Sequence, residues 1–160
     1  MSDNHGTPRL FKVSVDLPEE SETWPPFATE RIFVEKTAVK SEGQVKSIPY
    51  FATDIAYDDI IRVGIDNARE ELTYEGVVRE SGHSTIRILF DDAQSAHHVA
   101  ALLTEFGCEW EVTTIPTHWA VDVPPTTRYD VFRARLVELK SAGLLSFEEA
   151  AVSSVHQEQL

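Results

Sequence analysis

A single cysteine, Cys108, stands in the 160 residues. It can close no internal disulfide and build no thiolate cage, which excludes zinc-ribbon and CxxC chemistry and favours a reducing compartment. No apolar run approaches the ~18–20 residues of a membrane span, and Met1 to Leu10 contain no apolar signal-peptide core, so a cytoplasmic protein away from membranes is expected. Cations are scarce too: 14 Lys and Arg face 27 Asp and Glu, a net charge of −13. A surface that negative repels phosphate backbones and anionic headgroups, so nucleic acid is not an expected ligand. Internal repeats and low-complexity tracts are missing. What remains is an ordinary globular composition, 42% hydrophobic and 26% charged, over a length suited to one domain or two tightly joined subdomains.

The hydrophobic pattern changes character once along the chain. Residues 1–9 are polar and expected as a flexible tail. Phe11, Val13 and Val15 then alternate with Lys12, Ser14 and Asp16 in the period of a half-buried strand that stops at Pro18. Trp24-Pro25-Pro26-Phe27 reads as an extended loop pinned by its rings. A strand is expected over 30–39, followed by a hairpin turn at Ser41-Glu42-Gly43-Gln44 with Gly43 at positive φ and a return strand over 45–50. Ile60, Ile61, Val63 and Ile65 form a β-branched strand, Asp66-Asn67 a turn, and residues 72–79 another strand. So many short strands in so little chain imply an antiparallel β subdomain over 10–80, a curled sheet or small barrel.

Helical spacing appears only after Gly82. Thr85 to Phe90 read as a buried strand, and Asp91 or Asp92 caps a helix whose Ala96, Val99, Leu102, Leu103 and Phe106 share one side, ended by Gly107. Trp110, Val112 and Ile115 mark a half-buried strand with Trp119, Val121 and Val123 as its hairpin neighbour. A capping box at Thr127 to Asp130 opens a second helix on Tyr129, Phe132, Leu136 and Leu139, closed by Gly143. Another box, Ser146-Phe147-Glu148-Glu149, predicts a short helix and tail over 146–160. The expected fold class is α+β: the curled sheet, then a β-α-β-β-α unit over 81–145, like a split β-α-β layer with its helices on one face.

The densest run of reactive side chains is Arg79 to Arg87. Gly82 can turn backbone N–H groups toward an anion, His83 can act as acid or base, Ser84 or Thr85 as hydroxyl donor, and Arg79 and Arg87 as charge clamps. Equally, the same residue types satisfy an ordinary turn, with both arginines paired to acids. His97 and His98 are helix neighbours about 100° apart and cannot share an ion, so no metal site is expected. The two aromatic-proline segments, at residues 24–27 and 48–51, combine rigid backbone with ring faces; they line a pocket or partner surface, or anchor loops over the core.

Four segments have a joint likeness: Pro25-Pro26-Phe27-Ala28-Thr29-Glu30-Arg31, Ile48-Pro49-Tyr50-Phe51-Ala52, Ser81-Gly82-His83-Ser84-Thr85-Ile86-Arg87 and Ala120-Val121-Asp122-Val123-Pro124-Pro125. Together they resemble the bacterial family termed domain of unknown function 4265, over roughly residues 10–150. The resemblance implies a bacterial source and a shared fold, and brings with it no reaction, cofactor or catalytic residue.

Residues 88–127 contain no Lys or Arg and six acids, Asp91, Asp92, Glu105, Glu109, Glu111 and Asp122. With Trp110 and Val112 inward, Glu109 and Glu111 are expected together on the open face of a strand, and Asp91 and Asp92 at a helix N-terminus. Such a single-signed stretch steers a basic partner, or else serves plain solubility. The leading expectation is therefore a non-enzymatic acidic module that binds a basic protein through Asp91, Asp92, Glu109 and Glu111, as immunity or antitoxin proteins neutralise a basic effector. The alternative is a small-molecule or anion site, or an enzyme, using His83, Ser84, Arg79 and Arg87. Neither reading calls for a cofactor.

Overall fold

The structure, a computed structural model, describes residues 9–160. All of the expected tail but Arg9 lies outside the described residues. The chain is α+β. Five strands close a small barrel: β1 (Leu10–Asp16), β2 (Thr29–Lys36), β3 (Glu42–Val45), β4 (Ile60–Asp66) and β5 (Glu71–Arg79). They run as an antiparallel meander, and β5 returns parallel to β1 through Val13↔Leu72 and Ser14↔Thr73. Closure needs strong curvature, and two register shifts between β4 and β5, with Gly76 at φ 129°, supply it.

The second half is a four-stranded sheet in the order β7-β8-β6-β9, built from β6 (Ser84–Leu89), β7 (Glu109–Val112), β8 (His118–Val123) and β9 (Ser146–Ala151). Helices α1 (Ser95–Glu105) and α2 (Tyr129–Ser141) cover one face, and the one-turn α3 (Ser154–Gln157) follows β9. Alternation along β6 and β8 sends Ile86, Ile88, Trp119, Val121 and Val123 to the helices, where Leu103, Phe132 and Leu136 complete a core. A separate core of Val13, Ile32, Val34, Val45, Ile55 and Ile61 fills the barrel. Each half therefore has its own apolar centre, and polar contacts join them.

Several local expectations change for identifiable reasons. Ser146-Phe147-Glu148-Glu149 opens no helix: it forms β9 on the free edge of β6, pairing Phe147 with Ile88 and Glu148 with Arg87. Edge pairing plus two ion pairs, Glu148 with Arg87 and Glu149 with Arg133, outweighs a local capping pattern. Thr127 does not cap α2 either. Its hydroxyl donates to the Phe106 carbonyl (2.8 Å), and the Tyr129 N–H donates instead to the distant Gln159 Oε1 (2.7 Å). Asp92, not Asp91, prepares α1, accepting the Ser95 N–H at 2.9 Å. The β2–β3 connection takes its positive φ at Ser41 (63°), and β3 ends at Val45 and does not continue to residue 50.

Gly43 thus lies inside a strand, where its role is closeness: a Cβ there would overlap the Val34 Cγ1 methyl. Gly43→Ala is expected to cost about 1–3 kcal/mol through overpacking, as measured by urea denaturation. A value within error of zero would show that Val34 has room to move.

Candidate functional site

Residues 46–59, the connection between β3 and β4, leave the barrel and lie against the face of the sheet that carries no helices. Two charged side chains hold this connection from opposite sides. Glu30 on β2 accepts the backbone N–H groups of Tyr50, Phe51 (2.9 Å) and Ala52 (2.8 Å). Arg87 on β6 donates to the carbonyls of Pro49 (3.4 Å), Phe51 (3.0 Å) and Ala52 (2.7 Å), and to Glu148 at 2.6 Å. The backbone of 49–52 spends its polar groups on these two residues, which is why it makes no β ladder. Thr85 adds a hydrogen bond to the Ile55 carbonyl (2.8 Å), and Ser81 donates its hydroxyl to the Tyr57 carbonyl (2.7 Å).

At one end of this seam lies a groove of about 340 Å³. Its walls include Phe27, Phe33, Tyr50 and Glu111, with Arg31 and Lys46 at its margin. Phe27 and Phe33 are 50% and 42% exposed, unusually open for rings of that size. Glu111 accepts the Tyr50 hydroxyl at 2.7 Å. Burial and this carboxylate push the Tyr50 phenol up to about 12, so it remains a neutral donor. Both nearby cations are already paired: Arg31 with Glu71 (2.6 Å) and Lys46 with Asp58 (2.6 Å). The groove therefore joins exposed aromatic faces to a carboxylate that has no cation within ion-pair distance among the described residues.

Lys46 connects the groove to a second arrangement. Its partner Asp58 lies 3.9 Å from His83 Nε2, while His83 Nδ1 donates to Asp122 at 2.8 Å. The Tyr57 ring packs edge-on against His83 and lies under Lys46 Nζ. Asp122 is buried, which raises its carboxyl above the usual range while His83 draws it back. Beside His83 opens a polar cleft of about 350 Å³ lined by Gln44, Asp58, Ile60, Arg79, Glu80 and Ser81. The chain Asp122–His83–Asp58–Lys46 has the form of a general base held by a buried carboxylate.

The structure separates the residues singled out from the sequence. His83 and Arg79 share the polar cleft, but Ser84 and Arg87 do not reach it. Ser84 is fully buried on the opposite face of its strand; its hydroxyl donates to His156 Nδ1 (2.6 Å) and accepts the Ser153 N–H (2.9 Å), pinning the C-terminal turn. Arg87 is the backbone clamp just described. Glu109 and Glu111 share one face of β7 and are both exposed, Glu111 on the side where it meets Tyr50. Register places Glu109 level with Thr85, through Asp122, whereas Asp91 lies past the far end of β6. Six residues at about 3.3 Å each put roughly 20 Å of strand between Glu109 and Asp91, and four put roughly 13 Å between Asp91 and Glu111, which is level with Arg87. His97 and His98 are not part of the seam, and among the described residues no three His, Cys, Asp or Glu side chains gather as a metal set. Burial pushes the Cys108 thiol up to about 12, away from nucleophilic use.

Sequence reasoning missed Glu30 and Lys46 as site residues. For Arg87 a signal existed: a cation inside Ile86-Arg87-Ile88-Leu89 has to find buried acceptors. For the contact of His83 with Asp122, 39 positions on, none did.

All four segments singled out by resemblance meet at this seam, through Glu30, residues 48–52, His83 with Arg87, and Asp122. A family model described as domain of unknown function (DUF4265) matches residues 30–147. The chain belongs to this family. The DUF4265 match takes in Glu30, Lys46, Tyr50, His83, Glu111 and Asp122, and begins just after Phe27. The fold is similar to the crystal structure of a hypothetical protein from Neisseria gonorrhoeae, at a TM-score of 0.68 and 18% identity over 89% of this chain and 96% of that one. That likeness shows a shared fold. No curated protein matches the chain. Among the described residues no helix is long and apolar enough to cross a membrane.

Proposed function

We propose that this DUF4265 protein is a binding module that captures a basic protein partner in the groove between barrel and sheet. The observation that carries the reading is Glu111, whose carboxylate has a tyrosine hydroxyl and, among the described residues, no cation for company, beside the exposed rings of Phe27 and Phe33. An arginine or lysine of the partner placed there gains an ion pair at Glu111 and a cation–π contact on a ring face, the combination typical of interface hot spots. Glu109, two residues away on the same face, adds to the negative field. Asp91 and Asp92 serve long-range steering in this reading and not contact. An immunity-like inhibitor of a basic effector is one role that such a groove suits.

The test uses a hexa-arginine peptide and titrations at low and at physiological ionic strength. Glu111→Gln and the double variant Phe27→Ala/Phe33→Ala should each weaken binding by about tenfold, and raised salt should weaken wild-type binding. All three side chains are exposed or half exposed, so these variants should fold normally, as circular dichroism would check. Equal affinity in wild type and all variants would remove the groove from consideration.

The Asp122–His83 pair supports a second reading, in which His83 transfers a proton on a small polar ligand in the adjoining cleft. His83→Gln leaves the groove intact and separates the two: it should not change arginine-peptide binding if the first reading holds.

A further inference from the structure

The barrel has a second end, away from the seam. At the seam end its interior is plugged by Val45, Ile55 and Ile61, all fully buried. The inward positions nearer the other end are Phe11 and Val13 on β1, Val34 on β2, Val63 and Ile65 on β4 and Leu72 on β5, and they line a cup of about 480 Å³. This volume falls in the range of about 300–1,000 Å³ usual for small-molecule pockets, and the lining is mostly apolar, as in such pockets. On β4 the cup wall runs from Val63 to Ile65, about 7 Å of strand. Ile65 at its rim is 72% exposed, and Val39 on the loop between β2 and β3 is 55% exposed.

The rim is not neutral. Lys36 and Lys40 border the cup, with Glu42 as the one acid among the described residues that line it. Among the described residues neither lysine has a carboxylate within ion-pair distance, in a chain whose acids outnumber its cations by 13. An apolar well with a cationic rim matches a ligand that has a hydrocarbon tail and an anionic head.

We propose that the open end of the barrel binds a free single-chain aliphatic carboxylate, with its tail between Val34, Val63, Ile65 and Leu72 and its head at Lys36 and Lys40. This site is independent of the groove and of its partner. The two lysines supply a charge-assisted grip on the carboxylate, and transfer of the tail from water supplies most of the affinity.

The experiment is a titration of the full chain with sodium decanoate, followed by backbone and methyl NMR, with decylammonium as the matched cation. Decanoate should saturate and shift the signals of Val34, Val63, Ile65 and Leu72, and decylammonium should bind at least about tenfold more weakly. Lys36→Glu/Lys40→Glu should reverse that preference. Ile65→Asp, at an exposed position that should tolerate the change, should reduce decanoate binding by about tenfold or more. Tighter or equal binding of decylammonium, shifts centred elsewhere, or variants that bind decanoate as wild type does would each overturn the proposal. Attachment to anionic vesicles without binding of monomeric decanoate would overturn it as well, because it would mark the rim as a membrane-adhesion surface.

Discussion

Replacing Arg87 with Met should cost about 3–5 kcal/mol of stability, the largest effect expected of any single exposed-to-solvent or buried charge in this chain. Arg87 is 2% exposed, and its guanidinium gives hydrogen bonds to three backbone carbonyls and to Glu148. Methionine has similar bulk but donates nothing, so the carbonyls of Pro49, Phe51 and Ala52 lose their partner in a dry environment and Glu148 loses its cation. Arg87→Lys should recover only a small part, since an ammonium cannot reproduce the fork that spans Phe51, Ala52 and Glu148. Urea denaturation measures both. A loss below about 1 kcal/mol for the methionine variant would mean that water or a rearranged backbone replaces the clamp.

The second large effect is a loss of stability in acid centred on His118. This ring is 1% exposed, stacked on Phe51 and edge-on to Trp24, both at 5.4 Å, with Nδ1 paired to the Thr113 hydroxyl. Burial, then the nearby Arg87 charge, hold it at about 4, against an ordinary value of 6.5. Between these values the unfolded chain binds a proton that the native state refuses. Stability is therefore complete above pH 6.5 and falls as the pH drops toward 4, by roughly 3 kcal/mol in all at 1.36 kcal/mol per pKa unit. His156, fully buried and lowered by the same desolvation, adds in the same direction. Asp59 and Asp122 work oppositely. Burial raises both carboxyls, so the native state takes up their protons first and gains stability as pH falls through the carboxylate range. The diagnostic quantity is thus the slope between pH 6.5 and 4, wild type against His118→Gln. The variant should show a shallower slope whatever its absolute stability, and identical slopes would place the acid sensitivity elsewhere.

Period was the legible part of the sequence. Val99, Leu102 and Leu103 identify α1, and alternation around Trp110, Trp119 and Val121 identifies the β7–β8 hairpin, because one face of each element is buried against a core. The short alternating segments before Gly82 likewise announced a curled sheet, and it closes. Polar residues are less legible, for a consistent reason. Ser146 and Glu149 match a capping box, yet the unpaired edge of β6 makes them a strand. Arg87 matches a surface clamp for a ligand, yet it serves backbone carbonyls. A charged side chain's partner is chosen by the tertiary fold, and sequence distance carries no trace of that choice. The acidic stretch of residues 88–127 shows the same limit: its acids are near in sequence, but β-sheet register sends Asp91 and Glu109 to opposite ends of the layer.

The central claim is that the seam groove, and not acidity at large, is the working surface. Chemical-shift mapping with the hexa-arginine peptide on isotope-labelled protein tests it most directly. The expected result is a set of saturable shifts confined to Phe27, Phe33, Tyr50 and Glu109 to Glu111, fading as salt is added. Shifts of equal size at Asp91, Asp92 and the other exposed acids, with the aromatic rings unmoved, would contradict it.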